Sequence, residues 1–187
     1  MWPWEHLAFA YVLVSVAHRV AWRTRPTDAA AVATAVGALL PDLVDKPLAW
    51  GVGVLPAGRS LGHSLLVVGP ALVAVIALGR RLGETRVAVA FALATLSHLA
   101  GDVIYPLVVE RELRTGFLFW PIVPAAGGGG GAGGLFGQVA ARVLDFRAFL
   151  ATPRGLFFVA ADLALVSVAV VVWYRDGLPG VPDRVRP

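Results

Sequence analysis

His98 and Asp102 stand four residues apart in Ser97-His98-Leu99-Ala100-Gly101-Asp102. On a helix that spacing puts an imidazole and a carboxylate on one face, where both can grip one metal ion. Three more polar islands interrupt the apolar chain: Glu5-His6, Pro41-Asp42-Leu43-Val44-Asp45 and Gly62-His63-Ser64. Together the four islands hold three of the four histidines and three of the eight aspartates. Burying such groups in an apolar setting costs several kcal/mol unless they are paired or ligated. Their concentration therefore points to a metal-centred site formed by His6, Asp42, His63, His98 and Asp102.

The chain has no cysteine, so the ion would be held by nitrogen and oxygen alone. That donor set suits zinc, with manganese or iron as the other choices. A catalytic ion keeps one position open for water and lowers its pKa. Asp45 is then a ligand, an orienting carboxylate or the base that takes the proton, and Glu5 beside His6 shares the ambiguity. Arg59, shortly before His63, is a candidate for holding an anionic part of a substrate. Asp162 is a carboxylate inside an apolar run, placed to support the site.

These residues must be positioned by helices. Of the 187 residues 58% are hydrophobic and only 15% charged, far from the average soluble domain. The expectation is an all-α, multi-pass bundle in the cell membrane, one domain over residues 1–176 followed by a short frayed tail. Five segments can be read: His6–Trp22, Asp28–Leu40, Leu61–Gly79, Val87–Val109 and Gly155–Tyr174. The second is short for a crossing, and Pro106 should bend the fourth. His18 is read as interfacial. A glycine-rich connection at about 125–137 precedes a run with Leu135, Val139, Val143, Phe146 and Leu150 at helical spacing. That run is either an amphipathic helix in the interface or an ordinary packed helix.

Arginine supplies all but one of the 16 basic residues, for a net charge of +4. In a membrane protein this is a topology and lipid signal rather than a nucleic-acid footprint. The clusters at Arg19/Arg23/Arg25, Arg80/Arg81/Arg86 and Arg175/Arg184/Arg186 should be cytoplasmic. In an up-and-down path the four islands fall at the start, end, start and end of successive segments. They would then share one face, on the extracytoplasmic side.

Gly37-Ala38-Leu39-Leu40-Pro41-Asp42, Arg59-Ser60-Leu61-Gly62-His63-Ser64-Leu65, Ser97 to Asp102 and Phe119-Trp120-Pro121 resemble, in that order, the motifs of the YdjM family. Its members are described as membrane-embedded metal-dependent hydrolases, and one as binding LexA. The resemblance covers about Glu5 to Pro121 and implies His6, Asp42, His63, His98 and Asp102 as ligands. The chain departs from the pattern in three places. Asp45 is displaced by one position, Leu61-Gly62 replaces a Gly-x-Thr spacing, and Tyr105 stands where a threonine is frequent.

Three functions compete on these features. The first is a membrane metallohydrolase acting on a lipid-borne or phosphorylated substrate. The second is an ion transporter using the same His/Asp set, against which stands the lack of a visible internal repeat. The third is a membrane scaffold for a soluble protein partner.

Overall fold

A computed structural model describes residues 1–125, 134–182 and 184. Among them the chain is all-helical, with no strand. Six α-helices follow in order: α1 (Pro3–Trp22), α2 (Asp28–Lys46), α3 (Leu65–Arg81), α4 (Thr85–Val109), α5 (Gly134–Leu150) and α6 (Pro153–Arg175). A π-helical turn (Pro47–Gly51) extends α2, and a 3-10 turn (Gly116–Phe119) precedes the Trp120-Pro121 pair.

Two of these helices, rather than about five, are long and apolar enough to cross a membrane: α4 and α6, with mean hydropathies of 1.8 and 2.5. The reasons are local. α3 begins at Leu65, not Leu61, and its 17 residues are short of the roughly 20 of a typical crossing. α2 runs six residues beyond Leu40, through Pro41, and so carries Asp42, Asp45 and Lys46 on its last turns. α1 carries Glu5, His6, His18 and Arg19 among its apolar residues. α4 continues past Pro106 to Val109. The glycine run at 126–133 lies outside the described residues.

The chain divides into two compact units. The first comprises Met1–Leu39, Ala71–Asp102 and Leu163–Pro187. Small residues build its core. Ala10, Ala38 and Ala94 meet beside Leu7, and Val14, Ala30 and Ala90 meet beside Leu93. Alanine at a helix contact lets backbones approach closely, the usual device where lipid offers no hydrophobic drive between helices. Gly37 takes this to its limit, since a Cβ there would stand 2.5 Å from the Phe91 carbonyl oxygen.

Asp176 to Gly180, just after α6, are anchored rather than frayed. Buried Asp176 accepts from Tyr11 Oη at 2.9 Å and Ser15 Oγ at 2.7 Å, and pairs with Arg19. Beyond it the Gly180 amide donates to Asp28 at 2.8 Å, and Trp173 Nε1 donates to the Pro179 carbonyl at 3.0 Å. His18 is fully buried, edge-on to Trp22.

The second unit comprises Leu40–Pro70 and Val103–Asp162. Phe158 is its aromatic hub, meeting Tyr105, Phe146 and Phe149 with ring centroids 5.5, 5.8 and 5.7 Å away. α5 packs on the π-helical turn, with Arg142 over the Trp50 ring. None of its residues is buried, and Phe136 is 87% exposed.

Candidate metal centre

Within each unit, expected site residues are brought together. In the first unit, the start of α1 and the second half of α4 bring His6, His98 and Asp102 together. Their ligand atoms lie within 4.8 Å of one another, and all three residues are buried. The His6 and His98 rings stack with centroids 3.7 Å apart. His6 Nε2 is 3.4 Å from Asp102 Oδ1, which also lies 3.3 Å from the Met1 amino group.

Gly101 permits this approach. A Cβ there would meet Met1 Sδ at 2.4 Å and His6 Nδ1 at 3.4 Å. His98 Nδ1 lies 2.7 Å from the Ala38 carbonyl oxygen. A carbonyl only accepts, so Nδ1 carries the proton and Nε2 is left with its lone pair. Fixing one ring nitrogen on a backbone carbonyl is the usual preparation of a histidine ligand.

In the second unit, Asp42 and Asp45 lie on the last turns of α2, and His63 lies in the loop before α3. His63 therefore precedes its helix instead of opening it. Fully buried Asp45 accepts from the Ser60 amide at 2.6 Å, the Gly62 amide at 2.7 Å and His63 Nδ1 at 2.8 Å. With Nδ1 donating, His63 turns Nε2 toward Asp42 Oδ1, 3.5 Å away. Asp42 is also paired with Lys46 one turn on.

The short motifs thus have distinct local duties. Ser60 and Gly62 hold the carboxylate that holds His63. Ser64 Oγ donates to the Trp120 carbonyl, tying the histidine loop to the Trp-Pro pair. Arg59 lies over the Phe117 ring at 5.7 Å, and His63 meets the same ring edge-on at 6.0 Å. Glu5 accepts from the Trp2 amide and so closes the first turn of α1. Asp162 lies half-buried in the third turn of α6.

Sequence reasoning missed the Asp176 cluster. Its only signal was the Tyr11, Ser15, Arg19 spacing on one face of α1, without any hint that Asp176 returns to it.

The model of the YdjM inner membrane protein family matches residues 1–176. The chain belongs to that family. The family is one of inner membrane proteins, in keeping with two helices apolar enough to span. No curated protein and no solved structure matches the chain.

Proposed function

We propose that this YdjM family member is a membrane-bound, metal-dependent hydrolase. The observation that carries the reading is the buried His6, His98, Asp102 set, with the His98 tautomer fixed by Ala38. Three nitrogen and oxygen donors of this kind match the ligand set of catalytic zinc sites, which keep a further position open. A divalent ion bound there, zinc by preference, would supply an acidified water and polarise an ester or phosphoester.

The chain's own residues supply the rest. His98 Nε2, His6 and Asp102 would hold the ion. Asp45 keeps His63 oriented toward Asp42, which makes Asp45 a positioning residue for a second His/Asp pair able to ligate or to handle a proton. Arg59, over the Phe117 ring that also meets His63, would hold the charged part of a lipid-borne or phosphorylated substrate. Asp162 and Glu5 would act in support, Glu5 by fixing the turn that carries His6.

The test is metal analysis and turnover of the purified protein in lipid. We expect stoichiometric zinc, manganese or iron, lost in His98→Ala, and metal-dependent hydrolysis of a lipid-borne ester, phosphoester or amide. The number of ions per chain, followed in His98→Ala and His63→Ala separately, assigns the ligands. Bound metal with ion flux in liposomes and no hydrolysis would make the protein a transporter. Absence of any metal would leave a scaffold role.

A further inference from the structure

Five chain segments of the first unit meet away from the metal ligands. They are the end of α1, the start of α2, the end of α3, the start of α4 and the stretch after α6. Arg86 at the start of α4 lies over the Trp22 ring at the end of α1, with 5.9 Å to the centroid. Gly79 of α3 sits against Ala88 of α4, and Gly180 donates to Asp28 of α2. Arg23, Arg25, Arg80, Arg81, Arg86 and Arg175 all occur on these segments and are exposed. Of the acidic residues there, Asp176 is spent on Arg19, Tyr11 and Ser15, and Asp28 accepts the Gly180 amide.

This end contains a cleft of about 370 Å³ lined by Trp22, Thr27, Glu84, Thr85 and Arg86, among others. It combines a guanidinium, two hydroxyls and an indole face, with Glu84 as the one carboxylate in the lining. The first turn of α4, a 25-residue helix, adds its positive dipole end. Behind Trp22 lies His18, fully buried and edge-on to the indole. His6 and Trp22 are separated by about 24 Å of helix, at 1.5 Å per residue, so this cleft is distinct from the metal ligands.

We propose that the Trp22–Arg86 cleft binds the phosphate of an anionic phospholipid headgroup. Arginine and a helix start take the phosphate, the threonine hydroxyls complete it, and Trp22 sits at headgroup level as indoles do. The surrounding arginines select an anionic lipid over a zwitterionic one. This inference is independent of the metal reading.

The experiment is native mass spectrometry of the full chain released from micelles doped with phosphatidylglycerol and phosphatidylcholine. Wild type should retain phosphatidylglycerol preferentially. Arg86→Gln should lower that retention about fivefold or more, against the worth of one arginine near an anionic surface. Arg86→Lys, which keeps the charge, should preserve the preference and so separates loss of the cleft from loss of the fold. Arg81→Gln, on the same end, should leave it nearly unchanged. Equal losses in Arg81→Gln and Arg86→Gln would reduce the effect to diffuse charge and overturn the site. No preference in wild type would overturn it too. Inorganic phosphate binding with the same Arg86 dependence, while neither lipid binds, would overturn the lipid source.

Discussion

Asp45 accepts from three donors, and that decides what its loss would do. Both its oxygens are engaged, by two backbone amides and one imidazole. Asp45→Asn keeps the shape but gives one of these donors a second donor to face. His63 would lose its fixed tautomer and orientation. If His63 is a ligand, metal affinity should fall about 10–100-fold, the usual effect of removing an orienting partner, as read by competition with a chelator dye. Unchanged affinity would separate His63 from the metal. Gly101→Ala tests the other set. Its Cβ would displace the flexible end of Met1, whose amino group lies against Asp102, and would touch the His6 ring. Metal affinity should drop more than thermal stability does, measured on the same preparation. A pure stability loss would mean that His6 is only packed there.

At the scale of the helix, α6 and α4 are apolar for different reasons. Only 17% of the most apolar window of α6 is buried within the protein, against 56% for α4. α6 therefore offers Leu163 and Val168 outward, while α4 turns His98 and Asp102 inward. Arginine at Leu163, near mid-helix, should cost about 2.5–3.5 kcal/mol of insertion. A glycosylation-mapped insertion assay would show a reduced inserted fraction, and no change would place α6 outside the bilayer. The Asp176 anchor joins the end of α6 to α1 through three side chains. Asp176→Ala should destabilise the protein by about 1.5–3 kcal/mol, the range for hydrogen bonds to a charged group. We expect a lower thermal midpoint and faster proteolysis after Tyr174, with the metal content intact.

For the whole molecule, metal binding and stability should be linked. Three buried polar ligands without their ion are costly to desolvate, so an ion bound to the folded state alone raises its stability by mass action. Chelation should lower the thermal midpoint of wild type, and readdition of zinc should restore it. The same treatment should leave His98→Ala unmoved. A midpoint indifferent to chelator in wild type would speak against a resident ion.

Composition and motif order were enough to determine the helical class, the family and the polar residues worth buying at the cost of desolvation. Those properties reside in residue types and local spacing. His98 and Asp102 share a face because a helix turns every 3.6 residues, and no tertiary contact is needed to know it. Hydropathy alone does not fix helix ends, so it overstates the number of helices able to span. α2 ran through Pro41 and took up its aspartates, and α3 lost four residues to the loop that holds His63. Tertiary structure alone decided that Asp45 is spent on His63, that Ala38 offers its carbonyl to His98, and that Asp176 returns to Arg19. Each of these is a contact across 18 to 157 positions of chain. Its partner is a backbone atom or a distant side chain that no local pattern announces.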